Sequence, residues 1–313
     1  MDFKALMQEK RDELRQLQDV GGIDLVLRHL EAAERHFLNA RRDGEAELFT
    51  DVIYRTNQVF EGILKESYQA IALKDGSKNT PAQIENYLSK HNVFRPRVLE
   101  YFTRYRKEWR NAATHDHRLD FDEQEAFLAY STVCAFCFAA LNQMIQAQAA
   151  LSASQGRSSK DLIFDPENIA DLLVAELPSL MAALMRNMQT LKTDVRITET
   201  AVIGAIEGLF QSTNSIPIVE PLSELANQKL RPDLVLNSSG KFVVLEIKTS
   251  RTFAKMENIQ EQLSTYAAAA QAIGAVGVVV PAILGDTKSM VFEKFSVQAA
   301  AVPTFIVRLK AKS

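Results

Sequence analysis

The sequence predicts an all-helical first half joined to an α/β last third. Three observations carry this. Apolar residues recur at helical spacing through residues 1–150. From about residue 197 the pattern becomes a helix followed by short apolar runs of strand length, bounded by turn residues. Between the two regimes, Leu-Ser-Ala-Ser-Gln-Gly-Arg-Ser-Ser-Lys-Asp at 151–161 breaks both periods and reads as a linker. With 313 residues, 47% of them apolar, each part has enough material for its own core.

Taken in order, amphipathic helices are expected over 2–18 and 23–42. A longer one spans about Glu45 to Leu73, where Phe49, Val52, Ile53, Val59, Phe60, Ile63 and Leu64 share a stripe. Lys74-Asp75-Gly76-Ser77 ends it. Thr80 before Pro81 reads as the N-cap of a short helix. Another helix is expected over Arg97–Thr114, then a polar break from His115 to Asp120. Asp120 and Glu123 have capping-box spacing for a final helix over 122–150. A Met- and Leu-rich helix over 164–192 reads as an arm. Then follow a helix at 198–211 and strands at 216–219, 233–236 and 242–248. A helix at 256–272 precedes a strand at 276–280, punctuation at Pro281 and Gly285, and strands at 290–295 and 304–309. The expected domains are 1–150, a linker and arm at 151–195, and 196–313.

Composition narrows the function classes. The net charge of −3 gives no bulk attraction for nucleic acid, so any such binding must rest on local patches. Cys134 and Cys137 lie in an apolar helical run without a second Cys pair or a nearby His, and read as buried core thiols. Met1-Asp2-Phe3-Lys4 opens a charged helix rather than a signal peptide, and no uninterrupted apolar run approaches a span of ~20 residues. A soluble, cytoplasmic protein without a membrane partner is expected.

The richest stretch is Arg231-Pro-Asp-Leu-Val-Leu-Asn-Ser-Ser-Gly-Lys-Phe-Val-Val-Leu-Glu-Ile-Lys248. Asn237-Ser-Ser-Gly240 is turn chemistry between two apolar runs, which predicts a hairpin or closely paired strands. Glu246 and Lys248 are two apart and so share a strand face. Two carboxylates and one lysine at the ends of apolar strands are costly unless they pair or ligate. A hard divalent cation and a water nucleophile, the needs of phosphodiester hydrolysis, call for such a set.

Pro232-Asp233, twelve intervening residues, then Glu246-x-Lys248 resembles the PD-(D/E)xK nuclease superfamily. Gln262-Leu-Ser-Thr-Tyr266 on the next helix resembles the Q-x-x-x-Y element of its RecB-like branch, and the i, i+4 spacing puts both side chains on one face. The likeness covers roughly 196–281. It implies a restriction-endonuclease-like mixed sheet flanked by helices. Asp233, Glu246 and the Ile247 carbonyl would hold Mg²⁺ or Mn²⁺, and Lys248 would orient the attacking water or stabilise phosphate charge. Gln262 and Tyr266 would brace substrate or the lysine. A further Glu on an earlier helix is implied, with Glu199 as the choice and Glu207 as the runner-up.

In the helical half, Arg110-Asn111-Ala-Ala-Thr-His115 resembles the R-x(4–6)-H motif of HEPN domains, with His117 at a second admissible spacing. The likeness covers about residues 20–150. It implies a small helical bundle, homodimerisation that pairs two such motifs, and a metal-free ribonuclease site. There Arg110 would steady the scissile phosphate and His115 would handle protons. Arg104, Arg106 and Lys107, interleaved with Phe102, Tyr105 and Trp109, could hold single-stranded RNA, although those aromatics read better as core residues.

Together the two likenesses imply a dimeric, metal-dependent nuclease acting on nucleic acid, DNA favoured, in antiviral or foreign-DNA defence. Two alternatives stay open. One is a metal-independent ribonuclease toxin whose C-terminal domain binds nucleic acid. The other is a non-catalytic dimeric nucleic-acid-binding regulator.

Overall fold

A computed structural model describes residues 2–91, 93–94, 96–110, 120–155, 163–186, 197–213, 230–250, 256–282, 290–297 and 300–310. Asn111, His115, His117, Gly285, the expected strand at 216–219 and most of the expected linker lie outside the described residues. The chain divides into two compact units, Met1–Gln148 and Ala149–Ser313.

The first unit is helical. Its elements are α1 (Phe3–Arg15), α2 (Gly21–Asp43), α3 (Glu47–Ala72), α4 (Pro81–Lys90), α5 (Pro96–Tyr105) and the start of α6 (Glu123–Ser154). Asp2 caps α1 by accepting the Ala5 N–H at 2.9 Å, and Thr80 forms the expected capping box with Gln83. The cap of α6 differs from expectation. Asp122 accepts from the Glu125 N–H at 2.8 Å, and Glu125 accepts from the Asp122 N–H. Asp120 and Glu123 have the same spacing, but buried Phe121, whose N–H is held by Thr50 Oγ1, delays the first turn. The expected helix over 97–114 also changes form. At Arg106–Arg110 it becomes a π-helical turn. A turn bonded i→i+5 re-aims every side chain beyond it, and such turns recur at functional sites.

The core of this unit is aromatic. The Phe60 ring lies 4.9 Å from Tyr105, 5.5 Å from Phe102 and 5.8 Å from Phe136, centroid to centroid. The buried Tyr105 hydroxyl is 2.8 Å from Thr56 Oγ1 and 2.9 Å from Asn57 Oδ1, so its polar end is satisfied. Phe102 and Tyr105 thus belong to the core. Cys134 and Cys137 are free and buried; burial pushes the Cys134 thiol up to about 12 and Cys137 well above its ordinary value, which leaves both unreactive.

The second unit is built on a five-stranded mixed sheet. Its elements are α7 (Pro166–Arg186), α8 (Glu199–Gln211), β1 (Leu234–Ser238), β2 (Lys241–Ser250), α9 (Met256–Ala269), β3 (Gly274–Pro281), β4 (Phe292–Ser296) and β5 (Thr304–Leu309). The strand order is β1-β2-β3-β5-β4. The inner pairs β2/β3 and β3/β5 are parallel, and the outer pairs β1/β2 and β4/β5 are antiparallel. Every residue from Gly274 to Val280 is buried, as a strand covered on both faces must be. Gly277 matters here. A Cβ there would lie 3.0 Å from both Ile259 and Leu263, so its absence lets α9 close onto the sheet.

The helix read as an arm is a layer of this unit. Ile169, Leu173, Leu177, Leu180 and Leu184 recur at spacings of three and four and are fully buried, and α7 packs on β3, β4, β5 and α8. Lys294 on β4 ties it down through Glu167 at 3.0 Å and Asp171 at 2.7 Å. Among the described residues two helices, Glu123–Ser154 and Pro166–Met185, are long and apolar enough to cross a bilayer. Each devotes much of that apolar surface to packing within the protein.

The hairpin forms as its turn residues predict. Ser238 pairs with Lys241, and the two residues between them, Ser239 and Gly240, have φ of 53° and 80°. Two left-handed residues match the strand twist. A Cβ on Gly240 would meet nothing within 4 Å, so only the backbone conformation penalises it. Gly240→Ala is expected to lower stability by about 1 kcal/mol, read from the urea midpoint at unchanged m-value.

Candidate functional site

The hairpin register builds the site. Leu234 pairs with Leu245, and one step further sets Asp233 opposite Glu246. Asp233 Oδ2 accepts the Ile247 N–H at 2.7 Å, so a backbone donor fixes the carboxylate at the head of the strand pair. Glu246 and Lys248 share the β2 face of Val244, which packs with Ile259 and Leu263 of α9. That helix therefore covers the face bearing the charged residues.

Lys248 is the centre of the cluster. Its Nζ lies 2.7 Å from Glu246 Oε1, 3.1 Å from the Ile247 carbonyl oxygen, 3.4 Å from Glu199 Oε1 and 3.7 Å from Asp233 Oδ2. Glu199 arrives from the first turn of α8, whose start is fixed by the Thr198 side chain accepting the Ala201 N–H. Glu207, two turns further along, accepts instead from Gln211 at 3.2 Å. The helix geometry puts it about 12 Å beyond Glu199. Tyr266 on α9 stands within electrostatic reach: burial first, then the Glu246 charge, raises its hydroxyl pKa above the ordinary value. Gln262 is half-buried one turn earlier on that helix.

Three carboxylates around one ammonium would leave the cluster two charges negative if all were ionised, and the fold resists that. Burial, then the Glu246 charge, pushes Asp233 up to about 7 against the pull of the Ile247 N–H and Lys248. Burial also raises Glu246. Burial opposes the Lys248 charge, but the hydrogen bond to Glu246 and the surrounding carboxylates outweigh it and hold its pKa above the ordinary value. Glu246 is only 3% exposed, and its Oε2 is buried with no hydrogen-bond partner. Such an orphaned carboxylate oxygen costs on the order of 1–3 kcal/mol or more.

The donor set is of the kind a hard cation takes: Asp233, Glu246 and the Ile247 carbonyl all offer oxygen donors, and one of those oxygens lacks a partner. As they stand, among the described residues no three Asp, Glu, His or Cys side chains are gathered closely enough to hold a metal by themselves.

No family model, curated protein or solved structure matches the chain.

The basic residues of the helical unit are distributed differently. Arg110 Nε donates to Glu61 at 2.8 Å, Arg106 to Glu85 at 2.7 Å, and Arg104 to Glu108 at 2.9 Å. Lys107 is exposed. Two of the three cations expected to hold RNA, Arg104 and Arg106, thus face carboxylates, as does Arg110 of the motif. Glu61 and Glu85 carry no signal in the sequence, because each lies on another helix, 49 and 21 residues from its Arg. The placement of Asn111 and His115 lies outside the described residues.

The raised Asp233 value has a measurable consequence in metal-free buffer. The folded pKa, about 7, exceeds the model-peptide value of 3.8, so between these pH values the folded protein binds the extra proton. Stability then falls as pH rises through this window, and the full cost is present above it. Asp233→Asn is expected to be more stable than the parent at pH 8 by on the order of 3 kcal/mol. Thermal melts in EDTA at pH 4 and pH 8 check this; the advantage should vanish at the lower pH.

Proposed function

We propose that the chain is a metal-dependent nuclease of the PD-(D/E)xK type that hydrolyses phosphodiester bonds, DNA favoured. The observation carrying the proposal is the buried Glu246 carboxylate with an unpartnered oxygen, opposite Asp233 and in contact with Lys248. Asp233, Glu246 and the Ile247 carbonyl would hold Mg²⁺ or Mn²⁺. When bound, such a cation supplies a Lewis acid and a water of lowered pKa. Lys248 then donates to the attacking water or to a phosphate oxygen. Glu199 steadies the ammonium from α8, and Tyr266 with Gln262 lines the α9 side. HEPN-like dimerisation through the helical unit, and use in defence against foreign nucleic acid, belong to the same proposal.

The test is cleavage of a panel of single- and double-stranded DNA and RNA, with Mg²⁺ and with EDTA. Metal-dependent cleavage supports the proposal. EDTA-resistant RNA cleavage that is lost in His115→Ala would transfer the activity to the helical unit. No cleavage of any substrate would leave a binding role.

A further inference from the structure

We propose that Lys248 is the resident counter-ion of this carboxylate site, seated where the divalent cation binds, and that metal loading displaces its ammonium. The inference rests on the nuclease reading and adds a gate to it.

Its grounds are geometric. The Lys248 ammonium is surrounded by Glu246 Oε1, the Ile247 carbonyl oxygen, Glu199 Oε1 and Asp233 Oδ2, at 2.7 to 3.7 Å. Three of the four groups are the ligands assigned to the metal. A divalent cation held by these oxygens sits about 2.0–2.6 Å from each. An ammonium 2.7 Å from Glu246 Oε1 would then overlap or directly abut it, and two cations so close repel strongly at a partly buried site. The ammonium is also an incomplete substitute. It satisfies Glu246 Oε1 and leaves the buried Oε2 of the same carboxylate without a partner. A cation that drew both carboxylates together would remove that cost. Lysine suits the role, because its flexible four-carbon stem lets the charge move without shifting β2. Once displaced, the ammonium is free to meet the attacking water or the phosphate. Charge repulsion thereby couples arming of the lysine to occupancy of the metal site.

The test is calorimetric titration of Mn²⁺ into the full chain without nucleic acid. The parent is compared with Lys248→Met, Lys248→Arg and Glu246→Gln, each checked for folding by circular dichroism in EDTA. Lys248→Met is expected to bind Mn²⁺ about tenfold more tightly than the parent. Lys248→Arg, which keeps the charge, should show no gain, and Glu246→Gln should lose binding. Should the Met variant fail to fold without metal, Lys248→Gln serves the same comparison. Unchanged or weaker binding by the uncharged variant overturns the displacement while leaving the metal reading intact. An equal gain in Lys248→Arg overturns it too, because the charge would not be the cause. Absence of Mn²⁺ binding in the parent and in the uncharged variants overturns both this inference and the nuclease reading.

Discussion

Asp233→Ala is expected to reduce Mg²⁺-dependent DNA cleavage at least about 10³-fold, a loss of roughly 4 kcal/mol of transition-state stabilisation. The substitution removes one of the proposed ligands and also frees the Ile247 N–H that Asp233 accepts at 2.7 Å. The direction of the accompanying stability change makes the prediction specific. Asp233 is half-buried opposite the buried Glu246 carboxylate, and the rise of its pKa to about 7 marks it as a burden on the metal-free fold. A variant that loses activity while holding or gaining thermal stability in EDTA is the signature of a residue retained for function. Single-turnover cleavage assays beside thermal melts supply both readings. Activity within tenfold of the parent would remove Asp233 from the metal shell.

Phe60→Ala is expected to destabilise the helical unit by about 3–5 kcal/mol. Its ring contacts Phe102, Tyr105 and Phe136, residues from two other helices, and all are buried. Truncation opens a cavity among rigid rings that cannot collapse into it, and it loosens the packing under Tyr105, whose hydroxyl engages Thr56 and Asn57. Guanidinium unfolding followed by far-UV circular dichroism checks this, since the loss should fall on the strongly helical transition. A change below about 1 kcal/mol would mean that the aromatic cluster is not the keystone of this core.

Much of the carboxylate–lysine site was legible because its determinants are local. Asn237–Gly240 announces its own turn, and the period of two by itself places Glu246 beside Lys248. The Gln262/Tyr266 spacing is likewise fixed within one helix. What escaped was non-local. The period of α7 marked it as a helix, but nothing in residues 166–186 names the sheet that buries it. The π turn at Arg106–Arg110 has no spacing signature, because the same residues would also suit an α-helix. Arg106 reads as part of a basic strip, and Arg110 as a free phosphate ligand, only while Glu85 and Glu61, on other helices, remain out of view. The cap at Asp122 was misplaced to Asp120 because a rival pair of identical spacing lies two residues away, and the burial of Phe121 decides between them.

The packing of α7 on β3, β4 and β5 also dictates how the second unit can be cut free. A fragment starting near residue 196, where the sequence alone would draw the boundary, strips one cover from the sheet and bares the apolar surface that Ile169, Leu173 and Leu180 now seal. It is expected to aggregate on expression. A fragment that begins upstream of Pro166 carries its own cover, and is the better choice for crystallisation and for studying cleavage without the helical half.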